Sequence, residues 1–217
     1  MSEEEIASAL AEERDAVLPQ SWQEGGREKH LDVQRSEFGE IIASEVLKQV
    51  FDTSIPAARI AHKEIPDQQT RGADVMGLEG IELSRPTLIV GEVKGSQSRK
   101  SPPGVVGQMV TKLEALSTNR RAMLQELAWL RDYSEEEYAD ICARIHASFL
   151  LKKDYFEIVL SPLLVRTDST HHPNDAGDFR LKPGRFKNRI RWVSIVVEGD
   201  LFELAQEVYR IAREGAA

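Results

Sequence analysis

The chain has 217 residues, 41% of them hydrophobic and 29% charged, the composition of an ordinary globular protein with enough length for one sizeable core. Its net charge of −8 argues against a broad surface that grips nucleic acid unaided, because phosphate contacts come from Lys and Arg. A single cysteine, Cys142, excludes an internal disulfide and a cysteine-rich zinc site. The acidic, amphipathic start and the lack of any membrane-length apolar run predict a cytoplasmic protein without signal peptide or membrane contact.

The first 17 residues suggest a short acidic helix, and residues 21–34, with Gly25-Gly26, a connecting loop; residues 1–34 are therefore expected to form a helix and linker ahead of a domain spanning 35–217. Ser36 offers an N-cap for a helix from Glu37 to about Phe51, with Phe38, Ile41, Ile42, Val46 and Val50 at helical spacing and Glu40 near its start. Three strands are predicted next: Arg59 to Ile65, stopping at Pro66-Asp67; Ala73 to Leu78; and Thr87 to Lys94. A polar loop through Ser98-Arg99-Lys100-Ser101 leads into a long helical zone. There Val105, Met109, Leu113 and Leu116 share a face, and apolar positions continue to Leu130. Ser134 and Glu137 at capping-box spacing predict a helix to about Lys152. Phe156 to Val165, interrupted by Pro162, and Ile190 to Val197 read as strands, with the polar segment Thr167 to Asn188 between them expected to stay out of the core. Asp200 to about Arg213 closes the chain as an amphipathic helix. The order is that of an α/β fold.

The chemistry concentrates in Thr87-Leu88-Ile89-Val90-Gly91-Glu92-Val93-Lys94, an apolar run ending in an acid and a base two residues apart. In a strand these point to one face, and Asp74, at the start of the preceding strand, joins them if the two strands pair antiparallel. Two carboxylates and an ammonium at one point suit a divalent cation and a water for phosphodiester hydrolysis, and oxygen ligands select Mg²⁺ or Mn²⁺. Glu40 reaches the same region from the first long helix. An E-x-K triplet alone arises about once by chance in a chain of this kind, and the bland alternative is a salt-bridge cluster on a strand end.

The order Glu40, Asp74, Glu92-Val93-Lys94, within helix, strands and helix, resembles the PD-(D/E)XK nuclease superfamily over roughly residues 35–115. The resemblance implies a restriction-endonuclease-like core with a mixed central sheet flanked by helices. It implies Asp74, Glu92 and the Val93 carbonyl as metal ligands, Lys94 as the catalytic lysine, Glu40 as an auxiliary acid and Gln108 as a polar helix residue near the site. Ala73 stands where the superfamily pattern has proline. Within the superfamily, the FGEII helix, RGADVMG and LIVGEVKGS are similar to HamA, the nuclease subunit family of Hachiman-type antiphage systems. That likeness implies a DNase working with a helicase partner, and it leaves a homo-oligomer open. The competing reading is a non-cleaving binding or assembly module on the same fold.

Other features carry blander readings. Lys112 is assigned with Gln108 to an exposed helix face, and Arg71 to a turn. His171, His172, Asp175 and Asp178 lie in a polar loop with nothing to fix them as a metal site. The block Arg180, Lys182, Arg185, Lys187, Arg189 and Arg191, interleaved with Phe186 and Trp192, is either a phosphate-contacting surface or a solvated edge.

Overall fold

The computed structural model describes residues 2–14, 29–62 and 72–215. Its helices are α1 (Glu3–Arg14), α2 (Lys29–Phe51), α3 (Val105–Thr118), α4 (Arg120–Tyr133), α5 (Ala139–Leu150), α6 (Asp178–Leu181) and α7 (Leu201–Gly215). Its strands are β1 (Val75–Glu79), β2 (Thr87–Ser96), β3 (Glu157–Thr167), β4 (Arg189–Ile190) and β5 (Val193–Val197). The sheet is mixed: β1 runs antiparallel to β2, β2 parallel to β3, and β3 pairs in parallel with both β4 and β5.

Helices cover both faces, which is why β2 and β3 read as near-continuous apolar runs. Ile89 and Val93 of β2 join the core beneath α1, α2 and α7, whereas Leu88 and Val90 pack under α3, α4 and α5. Glu92 follows the second parity, so it projects toward α3. The Tyr209 hydroxyl donates to the buried Glu37, tying α7 to α2. Among the described residues no helix is long and apolar enough to cross a membrane.

Several local expectations are corrected. Helix α2 begins at Lys29, so Ser36 lies inside it; no Gly or Pro interrupts residues 29–36, and the helix propagates through the expected cap. Ile60–His62 form a 3₁₀ turn in place of the first predicted strand, with the Ala61 and His62 N–H groups bonded to the Ala58 and Arg59 carbonyls; residues 63–65 lie outside the described part. The outer edge of β1 is closed instead by Ser54, which exchanges two backbone hydrogen bonds with Leu78 at 2.8 and 2.9 Å. Ser134 caps the C-terminus of α4 through its N–H to the Leu130 carbonyl, and α5 starts only at Ala139. Asn119 divides the long helical zone by accepting from the N–H groups of Arg121 and Ala122.

Pro162 does not interrupt β3. It lies opposite the break between β4 and β5, where the donor that proline lacks is replaced by the Ser161 hydroxyl, 3.1 Å from the Arg191 carbonyl. The segment between β3 and β4 also enters the core, contrary to its polar composition: Asp175, Ala176, Phe179 and Phe186 are buried. Arg166, fully buried at the end of β3, donates to Asp175 at 3.0 Å and to the carbonyls of Ser96 and Ser98 at 2.8 and 2.7 Å. A charge desolvated there needs this full set of acceptors, and the set draws the 170–175 loop onto the end of β2.

Candidate active site

Asp74 precedes β1 by one residue, and its N–H donates to the Gly91 carbonyl at 3.0 Å, extending the β1–β2 ladder. With Val75 facing Gly91, Asp74 stands opposite Glu92 and on the same side of the sheet. Asp74 Oδ2 also accepts the Val93 N–H at 2.7 Å, so its carboxylate leans across toward β2.

Two ammonium groups bracket the pair. Lys94 Nζ sits 2.7 Å from Glu92 Oε1, 3.0 Å from the Val93 carbonyl and 3.6 Å from Asp74 Oδ2. Lys112 Nζ, from α3, is 2.9 Å from Asp74 Oδ1 and in close contact with Glu92 Oε2. Glu92 is almost wholly buried, at 1% exposure. Burial, reinforced by the facing Asp74 and opposed by Lys112 and Lys94, pushes its carboxyl up to about 7. For Lys112, burial works against the charge, but Asp74 and Glu92 outweigh it and its pKa rises. The cluster is charge-balanced: two carboxylates, two ammonium groups.

The donor set fits a hard divalent cation. Two carboxylate oxygens and a backbone carbonyl already surround one cationic nitrogen, that of Lys94, and oxygen donors on a rigid strand pair are what Mg²⁺ and Mn²⁺ take. Asp74, Glu92 and the Val93 carbonyl would hold the ion.

Residues 1–180 match HamA. The chain belongs to the HamA family. HamA is a component of Hachiman antiphage defence. No curated protein matches the chain.

Of the residues singled out in this HamA-family sequence, Asp74, Glu92, Val93 and Lys94 are brought together. Glu40 is buried on α2, close enough to Arg59 to stabilise its charge. Gln108 is exposed on α3 one turn before Lys112, and its side chain makes no hydrogen bond to the described residues. Arg71 lies outside the described residues. Asp175 is committed to Arg166 and His172 to Ser101, and no group of three or more His, Cys, Asp or Glu side chains able to hold a metal occurs among the described residues.

Lys112 is the main correction: its half-buried side chain turns its ammonium onto the two carboxylates. It occupies the apolar stripe Met109, Lys112, Leu113, Leu116, and a cation at such a position signals a buried partner. Glu126 sits in the equivalent place among Met123, Leu127 and Leu130 on α4. It accepts the Ala73 N–H at 2.9 Å and pairs with Arg59, whose guanidinium lies 4.0 Å over the Trp129 ring. Gly72, at φ +98, fits beneath them, since a Cβ there would run into both the Glu126 carboxylate and Arg59. Burial lowers the Arg59 pKa, with Glu126, Asp74 and Glu40 opposing that shift. The Arg59–Glu126 pair thus fixes the turn that delivers Asp74.

Proposed function

We propose that this HamA-family protein is a metal-dependent nuclease of the PD-(D/E)XK type, hydrolysing DNA phosphodiester bonds as the effector of antiphage defence alongside a helicase partner. The observation that carries the reading is the convergence of Asp74, Glu92, the Val93 carbonyl and Lys94 on one point at the β1–β2 pair. The mixed sheet between two helical layers, with the acids at the pairing of its antiparallel strands, supports a restriction-endonuclease-like core.

Mg²⁺ or Mn²⁺ at that point supplies charge neutralisation at the scissile phosphate and a more acidic water. Asp74 and Glu92 would hold the cation, and the Val93 carbonyl would complete the protein's share of the ligands. Lys94 orients the attacking water and offsets negative charge developing on the phosphoryl oxygens. Lys112 screens the repulsion between the two acids. Glu40 acts as an auxiliary acid behind the turn, and Gln108, on the helix that carries Lys112, faces the approaching substrate.

The test is cleavage of DNA in Mg²⁺ by wild type, Glu92→Ala and Lys94→Ala, with circular dichroism checking that the variants fold. Loss of cleavage in both variants is expected; equal cutting by all three overturns the assignment. A second reading, a non-cleaving assembly module, is favoured by the charge balance of the cluster, since two lysines already satisfy both acids. It requires that Mg²⁺ or Mn²⁺ titration give no binding dependent on Asp74 and Glu92.

A further inference from the structure

A cleft of about 420 Å³ lies where the α3–α4 corner, the C-terminal end of α5 and the chain entering β4 meet. Four cations line it, Arg120, Lys152, Lys153 and Lys187. Its one carboxylate, Asp154, is held by Arg85 at 2.7 Å. Among the described residues no carboxylate stands within ion-pairing distance of Lys152, Lys153 or Lys187. The cations of the neighbouring basic block behave differently: Arg185 pairs with Glu114, Arg191 with Glu79, Lys182 with Asp178 at 3.4 Å and Arg189 with Glu157 at 3.6 Å. The positive charge expected from residues 180–191 is therefore mostly spent within the fold, and Lys187 is the member of that block that opens on the cleft.

Arg120 is fixed in place. Its Nη2 donates to the Phe149 and Leu150 carbonyls at 3.0 Å each, neutral acceptors that leave its charge uncompensated, and it lies 5.4 Å from the centre of the Phe149 ring. Phe149 and Ile158 add apolar surface to the cleft lining. A cleft lined by cations and an aromatic ring suits a phosphate-bearing nucleotide, whose phosphates meet the lysines while its base packs on the apolar lining. Helix α3 links the cleft to the candidate active site: Ser117, on the cleft wall, follows Lys112 by five residues, on the order of 8 Å of helix rise.

The geometry points to a second phosphate-binding site in this cleft, which holds the nucleotide phosphates of a strand while the Asp74–Glu92 pair acts on it. This rests on the nuclease reading for its purpose but not for its binding chemistry. The same chemistry would also capture a free nucleotide, and the experiment separates the two sources. Binding of a fluorescein-labelled DNA oligonucleotide to the full chain in EDTA, followed by anisotropy at several salt concentrations, is compared between wild type and Lys152→Glu/Lys153→Glu/Lys187→Glu. Thermal unfolding confirms that the triple variant folds.

An affinity loss of at least about tenfold with a shallower salt dependence is expected, while Lys182→Glu/Arg189→Glu, at cations already paired, stays near wild type. If ATP binding alone is lost in the triple variant and oligonucleotide binding is kept, the site stands with a free nucleotide as its ligand. If neither ligand distinguishes the triple variant from wild type, the site is overturned. Failure of wild type to cut DNA, with the lysine-dependent binding intact, would remove the nuclease reading and leave the cleft standing.

Discussion

Burial and the facing Asp74 hold the Glu92 carboxyl at about 7, so the side chain is mostly protonated at pH 6 and mostly ionised at pH 8. Cation binding requires the ionised form. Apparent Mn²⁺ affinity is therefore expected to rise about tenfold between those two values, and Glu92→Gln should abolish the step in a calorimetric titration. The same shift has a consequence for metal-free stability. A carboxyl whose pKa is raised by folding binds its proton more tightly in the native state, so Glu92 leaves stability unaffected below its ordinary 4.5 and lowers it as pH climbs from there through about 7. Urea unfolding at pH 5 and pH 8 should show that loss in wild type, and Glu92→Gln should flatten it. Asp74, Glu92 and Lys94 were legible in the sequence because strand parity alone sets their common face. Lys112 and Glu126 were legible in principle, as charges inside apolar helical stripes, but what each one meets across the core is set by helix-on-sheet packing that a helical wheel does not contain.

Turns and clips between elements deliver the site. Glu126 on α4 receives the Ala73 N–H and faces Arg59, so Glu126→Ala leaves a buried donor unpaired and removes a carboxylate from a buried guanidinium. A loss of about 3 kcal/mol in urea unfolding is expected, together with weaker metal binding because the Asp74 turn loosens. Arg166 clips the end of β2 to the 170–175 loop, and Arg166→Leu, which strands the buried Asp175, should cost about 3–5 kcal/mol by the same assay. Gly77 meets the Thr53 methyl group where a Cβ would stand, so Gly77→Ala should cost about 1–3 kcal/mol through displacement of the strand edge closed by Ser54. These elements also show where sequence periodicity stopped being informative. Residues 59–62 have a strand's loose alternation, yet Arg59 is recruited by Glu126 and Trp129 and the backbone closes into a turn. Ser36 and Ser134 have the chemistry of N-caps, but one is overrun by its helix and the other ends a helix. Asp175 and Phe179 enter the core from a polar segment because Arg166 and the Phe186–Trp192 aromatic group receive them.

At the scale of the molecule, the α/β order was readable because β2 and β3 are apolar on both parities and must be covered on both faces. The net charge of −8 sets the expectation for DNA binding: four cations at one cleft and two at the candidate active site sit in an otherwise acidic chain. Anisotropy at physiological salt should give weak binding by the chain alone and a clear gain when the proposed helicase partner is added; tight, salt-resistant binding by the chain alone would contradict the division of labour proposed between them. The central claim is that the acids at the β1–β2 pair hold a divalent cation. A crystal soaked in Mn²⁺ tests it most directly through anomalous scattering. The account predicts a peak bounded by Asp74, Glu92 and the Val93 carbonyl, with the Lys94 ammonium displaced from its present position. Lys94 and Lys112 still bridging the two carboxylates, with no anomalous density between them, would contradict it.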